Sequence, residues 1–180
     1  MAQTLQTLPA LDHPELLAPP VADALRTWRP GEVLVAEIDP DLADTAEFCA
    51  RYGQPLDTSA NCVVIAGKRG GEIRYAACVV LATTRADVNN RARRRLEARK
   101  ASFAPMADAV SATGMEYGGI TPIGLPAGWP ILVDRAVLDA GQVVVGSGVR
   151  RSKLLVPGKA LAELPAAEVV DGLGTPVPTE

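Results

Sequence analysis

The chain has a single histidine, His13, near its start, and only three cysteines, Cys49, Cys62 and Cys78, with no Cys-x-x-Cys pair among them. A zinc site or a Cys-His nucleophile therefore has no basis in the sequence, and no metal or cofactor is expected. A Ser-His-Asp set would need His13 to fold back onto the core. No uninterrupted apolar run approaches a membrane span, and the first eleven residues lack a basic segment followed by a long apolar one. The expected compartment is the cytoplasm. A strong charge of either sign is also missing: the net value of −3 gives the whole molecule little pull on nucleic acid, and neither DNA nor a membrane is expected as a partner. There is no internal repeat and no low-complexity segment.

What is present is 180 residues, 48% apolar and 22% charged, enough for one compact domain with a core and appended ends. Cys62 and Cys78 sit inside apolar runs, which suits buried, reduced and inert thiols, and Cys49 falls on an expected helix. The first twenty residues, polar and punctuated by proline, are expected to pack loosely or to be disordered. Val21, Leu25 and Trp28 have helical spacing, and Pro30-Gly31 ends that helix. Glu32 to Ile38 alternates as a strand does. Asp39-Pro40-Asp41 offers a cap for a helix over Leu42 to Tyr52, which Gly53 stops.

Asn61 to Ala66 and Ile73 to Ala82 are β-branched-rich runs joined by Gly67-Lys68-Arg69-Gly70-Gly71, a hairpin signal. Both are apolar almost throughout, so they should lie at the centre of a sheet covered on both faces. Asp87 opens an expected helix through the basic run, and Pro105 to Ala112 reads as another. Later strands are expected at Ile131 to Asp134, Val143 to Gly146, Lys153 to Val156 and Glu168 to Val170. Short helices are expected at Arg135 to Leu138 and Pro157 to Leu164, and a frayed tail from Gly172. Helices and strands interleave, but the central hairpin breaks a strict βαβ order. The fold class is α/β with a mixed sheet.

Two glycine-rich stretches stand out. Thr113 to Pro126 holds Gly114, Gly118, Gly119 and Gly124 together with Pro122 and Pro126, so neither a helix nor a central strand can run through it. It must be a shaped loop. Gly146-Ser147-Gly148 follows the apolar run Val143-Val144-Val145, and for a lone Gly-x-Gly a tight turn is the plainer reading. From Arg91 to Lys100 the chain carries six basic residues, Arg91, Arg93, Arg94, Arg95, Arg99 and Lys100, against the single Glu97. Such a run is either a solvated helix face or a contact for a phosphate backbone.

The order Thr-Gly-x-x-x-Gly-Gly-x-x-Pro-x-Gly-Leu-Pro, then an apolar strand ending in Asp134, then a strand running into Gly-x-Gly, resembles the YbaK family of prolyl-tRNA-editing domains over roughly Asp44 to Leu173. The resemblance implies a curved mixed sheet closing toward a barrel, with helices outside and the glycine loops bordering one pocket. It divides the chain into an N-terminal extension (1–40), an editing-like domain (41–173) and a flexible tail (174–180). The implied activity is that of a freestanding trans-editing hydrolase, an aminoacyl-tRNA deacylase serving translation fidelity, which frees a tRNA mischarged with a small amino acid. Its partners would be the acceptor end of an aminoacyl-tRNA and an aminoacyl-tRNA synthetase.

Deacylation requires a site that holds the terminal adenosine and the amino acid, positions a water and stabilises a developing oxyanion. On this resemblance Asn61, Gly118, Gly119 and Ser147 are the catalytic candidates. Thr121, Pro122, Gly124, Gly146, Gly148 and Lys153 are the substrate-binding ones, and the six basic residues from Arg91 to Lys100 would contact tRNA. One position departs from the pattern. Editing members have a lysine where this sequence has Asn61, and a carboxamide offers only neutral hydrogen bonds. Lys153, on the strand after Gly148, is placed to restore the charge from the other wall of the pocket. The alternative is a non-catalytic member that keeps the pocket to bind a small molecule or an aminoacyl group.

Overall fold

The computed structural model describes residues 1–178. The chain begins with β1 (Leu8–Pro9), α1 (Pro19–Thr27) and β2 (Leu34–Glu37). Pro19 and Pro20 occupy the first turn of α1, where their missing N–H groups cost nothing, and Val21 and Leu25 bury one turn apart. The first twenty residues are only partly loose: residues 1–4 and 6–9 are exposed, but β1 pairs with β2, and Ala10, Leu16, Leu17 and Ala18 are buried. Apolar side chains spaced by prolines were enough to anchor this stretch, although they form no long periodic run.

Asp39 accepts from the Asp41 N–H at 3.0 Å, but it starts a separate 3-10 turn, Pro40–Leu42. The α-helix behind it, α2, covers only Thr45–Tyr52 and ends at Gly53 in the left-handed conformation, φ 62°. Next come β3 (Ala60–Arg69) and β4 (Glu72–Leu81), paired in register from Ala60↔Leu81 to Arg69↔Glu72. The turn is Gly70-Gly71 alone, with φ of 57° and 82°, the two-residue geometry whose twist matches the flanking strands.

The basic run is not one helix. After β5 (Thr84–Ala86), Asp87 does cap the next turn, accepting from the Asn90 N–H, yet that turn is a π-helical one, Val88–Ala92, followed by the single turn α3 (Arg93–Arg95). Glu97 has φ 51°, and the chain leaves as a strand, β6 (Lys100–Phe103). Packing overrides propensity here, because Leu96 and Ala98 both bury against the backbone at Gly67, and a helix cannot present them to it together.

The remaining elements are α4 (Met106–Thr113), β7 (Ile131–Asp134), α5 (Arg135–Asp139), β8 (Gln142–Gly146), β9 (Ser152–Pro157), a 3-10 helix at Gly158–Glu163, β10 (Ala167–Val170) and β11 (Gly174–Pro176). The stretch expected to fray instead pairs as β11 with β5, with Leu173 fully buried before it. The last two residues of that expected tail lie outside the described ones. Asp134, 3% exposed, explains the anchoring: it accepts backbone N–H bonds from Leu173 and Gly174, while burial still leaves its carboxyl above the usual value.

The strands form a five-stranded mixed sheet in the order β10-β7-β4-β3-β6 and a four-stranded antiparallel sheet in the order β1-β2-β9-β8, with β5 and β11 as a separate pair. The central hairpin is covered on both faces. One face meets α1, β8 and β9 through Val79, Val133, Leu154 and Leu161, and the other meets the segment after β5 through Ile65, Cys78, Leu96 and Leu132. No sheet closes into a barrel. The two larger sheets pack on each other through side chains such as Val79 and Leu154, and one bridge, Ser59↔Val144, joins β8 to the residue before β3. The opening between them is where the cavity lies.

Candidate functional site

The cavity, about 320 Å³, is walled by Asn61 to Val64 of β3 on one side and by Val144 to Gly146 of β8 with Lys153 of β9 on the other. Asp44, at the N-cap of α2, and Thr45 and Phe48 of that helix form its floor beside Ser59, and Tyr117, Gly118 and Ile120 of the glycine loop close one end. Phe103 and Met106, 63% and 54% exposed, stand at its mouth with Tyr117 at 53%.

Lys153 is the only lysine or arginine among the residues lining this cavity. It is 7% exposed, opposite Gly146 in the β8–β9 register, and its ammonium donates to the Ala43 carbonyl at 2.7 Å. The Phe48 ring lies beneath it, with the Nζ 5.4 Å from the ring centroid, a cation–π contact in a poorly hydrated place. Burial holds its pKa down at about 8, against the opposing pull of the Asp44 carboxylate. At neutral pH the group is thus a cation about one unit below its titration point. Across the cavity Asn61 accepts at Oδ1 from the Thr45 hydroxyl, 2.5 Å away, which leaves its amide N–H groups as the donors still open.

Arg150 ties the rim together. Its Nε donates to the Pro40 carbonyl at 3.0 Å and its Nη1 to the Tyr117 carbonyl at 3.3 Å, with the Asp44 Oδ1 3.5 Å away. A Cβ on Gly118 would lie 2.2 Å from that guanidinium. The absence of a side chain lets the loop and the arginine share the rim.

Of the residues singled out in the sequence, the structure brings Asn61, Gly118, Gly146 and Lys153 together around the cavity. The others lie off its wall. The Gly119 N–H donates to the Glu116 carbonyl within its own loop, and the Gly148 N–H donates to the Gly119 carbonyl at 2.7 Å, tying the two glycine turns together. Ser147 is fully buried, and its hydroxyl bonds to the Val149 and Ser152 carbonyls. Thr121 is fully buried with an unpartnered hydroxyl, and Pro122 and Gly124 face a different cavity beside Trp28 and Trp129. Close packing accounts for the small residues here: a Cβ on Gly146 would sit 2.6 Å from the Gly119 carbonyl, and one on Gly124 2.4 Å from that of Pro20.

The six basic residues also separate. Arg93 donates to the Asn89 carbonyl and Arg95 pairs with Glu168, whereas Arg99 and Lys100 stand exposed where β6 begins. Thr45, Phe48 and Ser59 line the site without any signal in the sequence, because only the docking of α2 against β3 and β8 brings them in. Cys62 also lines it, yet burial and the neighbouring Cys78 push its thiol far above the usual range, and Cys78 itself is raised to about 12. Neither is a thiolate at neutral pH. Among the described residues no three His, Cys, Asp or Glu side chains cluster as a metal site would, and no helix is long and apolar enough to cross a membrane.

Comparison with known families places this geometry. A family model for the aminoacyl-tRNA editing domain matches residues 39–164, from the Asp39 turn to the end of the 3-10 helix after β9. The chain belongs to the aminoacyl-tRNA editing domain family. Solved structures agree on the fold. One, described as a candidate trans-editing enzyme for prolyl tRNA synthetase, superposes with a TM-score of 0.72 at 24% identity, covering 86% of this chain and 94% of its own. A hypothetical protein, APE2540, gives a TM-score of 0.72 at 22% identity over 87% of this chain and 99% of its own. No curated protein matches significantly. In this editing domain the cavity lies between the two sheets, inside the matched segment.

Proposed function

We propose that this editing domain is a freestanding hydrolase that deacylates a tRNA mischarged with a small amino acid. The observation that carries the reading is the pairing of a buried cation, Lys153, with the open amide donors of Asn61 in one cavity between the two sheets. The ester carbonyl of the aminoacyl group enters between them. Water attacks the carbonyl carbon, negative charge develops on the carbonyl oxygen, and the Lys153 ammonium with the Asn61 amide stabilises it. The carbon–oxygen bond to the terminal ribose then breaks, releasing the amino acid and a ribose hydroxyl. A preorganised cation in a site that excludes water is worth far more to such an oxyanion than one in solvent. The restricted volume favours small aminoacyl groups, as a second sieve does.

The reading matches the name of the structurally similar trans-editing protein, and a synthetase remains a natural partner for such an activity. Asn61 at the position where editing relatives carry lysine supports a second reading, a non-catalytic binder of an aminoacyl group. A deacylation assay against a panel of mischarged tRNAs decides between them. Release of one or a few small amino acids supports the hydrolase; saturable binding of aminoacyl-tRNA without release on any member of the panel supports the binder.

A further inference from the structure

The tip of the β3–β4 hairpin and the start of β6 gather Lys68, Arg69, Arg99 and Lys100 around a shallow cleft, all four exposed. Lys68 and Lys100 are directly opposed in the β3–β6 register, so their side chains project from the same face at neighbouring positions. Like charges placed opposite one another destabilise a sheet. Among the described residues Lys68, Arg99 and Lys100 make no ion pair, while Arg69 has Glu97 at 3.8 Å and Glu72 is turned toward Arg74.

The position of the pair relative to the cavity is set by strand periodicity. Lys68, Ala66 and Val64 share one face of β3, and opposite them lie Lys100, Ser102 and then Ala104, whose N–H donates to the Val64 carbonyl at 2.9 Å. Val64 and Ala104 both wall the cavity. The lysine pair is therefore four residues up the strand from the cavity wall, about 13 Å at strand rise. Phe103, opposite Ile65, belongs to the alternate face of the same edge strand.

We propose that the Lys68–Lys100 pair, with Arg99 beside it, is a phosphate-contacting ridge that receives the nucleic-acid backbone leading to a terminal nucleotide held in the cavity. Cations along a groove that tracks the backbone are the electrostatic feature by which proteins hold single-stranded nucleic acid. The inference rests on the reading of the cavity as an aminoacyl-tRNA site and adds to it the direction in which the strand lies. Lys68 comes from outside the Arg91 to Lys100 run, so the ridge joins two stretches distant in sequence, while Arg93 and Arg95 are engaged internally.

The test is titration of the protein with tRNA over a range of salt concentrations, comparing the wild type with Lys68→Ala/Lys100→Ala and with Lys68→Arg/Lys100→Arg. The alanine pair should weaken binding about tenfold near 0.1 M salt and lower the slope of log affinity against log salt by about 1.5, whereas the arginine pair keeps both. Because removing opposed like charges relieves repulsion, the alanine variant should melt no earlier than the wild type, which separates lost binding from lost folding. Unchanged affinity and slope in the alanine variant overturn the ridge, and that is also the result expected if this edge serves a protein partner. Hydrolysis measured on the same proteins reports separately on the cavity: binding that follows the ridge without any deacylation sinks the hydrolase reading and leaves the ridge standing.

Discussion

The two walls of the cavity are built by strands of similar apolar character, yet they carry different chemistry. The β3 wall is neutral: Asn61 is held by Thr45, Cys62 is a protonated thiol, and Val63 and Val64 complete it. The β9 wall carries the cation, Lys153, buried over Phe48 and bonded to Ala43. The charge between the two sheets comes from the β9 wall, held there by the Ala43 carbonyl ahead of α2 and by the Phe48 ring of that helix. What the β9 wall gives up is stability, because an ammonium group in this place is poorly solvated.

The largest expected effect breaks the charged wall. Lys153→Met should lower deacylation at pH 7 by about 100-fold or more, the loss typical of removing an oxyanion donor, without lowering the melting temperature. Single-turnover hydrolysis beside a thermal melt measures both. The same substitution has a pH signature. The folded Lys153 titrates at about 8 and an ordinary lysine at 10.5, so between those values the unfolded chain binds more protons than the folded one. The contribution of this group to stability therefore rises with pH across that window, and Lys153→Met should lose that rise.

Gly146→Ala sharpens the comparison by moving the wall rather than discharging it. Its Cβ would meet the Gly119 and Ile120 carbonyls at 2.6 and 2.7 Å, both backbone atoms with little room to yield. A destabilisation of about 1–3 kcal/mol is expected in chemical denaturation. On the neutral wall the effects are smaller. Asn61→Ala should slow deacylation by about tenfold, the loss of one neutral hydrogen bond to the developing charge, while Asn61→Lys adds a second cation beside Lys153 and should not exceed the wild type. A large gain in Asn61→Lys over a nearly inactive wild type would favour the binding-protein reading. Smallest of all, Cys62→Ser should keep most of the activity in a folded variant, since the thiol is already neutral; complete loss would make Cys62 a participant.

Much of the fold is legible in the residues. The β3–β4 hairpin, the strand at Ile131–Asp134 and the Gly53 stop all follow from local chemistry: β-branched runs, paired glycines, a left-handed cap. The glycine motif carries the family resemblance, whereas of the residues it drew attention to only Asn61, Gly118, Gly146 and Lys153 line the cavity. What escaped depends on contacts between distant segments. The run after Asp87 becomes β6 because Leu96 and Ala98 pack on Gly67, and Leu8–Pro9 and the segment Leu173–Pro176 are placed because the four-stranded sheet, Asp134 and β5 receive them. The same is true of the site. Glycines that suggest backbone donors for a ligand are already used within the fold, Gly119 by Glu116 of its own loop and Gly148 by Gly119, and no local pattern distinguishes the two uses.

The measurement that bears most directly on the charged wall is the pH dependence of kcat/KM for deacylation, corrected for the spontaneous loss of the aminoacyl ester. If the Lys153 ammonium stabilises the oxyanion, the enzymatic rate falls as pH rises through about 8, where burial places its titration, and Lys153→Arg, which stays charged, loses that fall. A corrected rate that climbs through the same region, or that passes it unchanged in the wild type, would contradict the assignment of the cation to the chemistry.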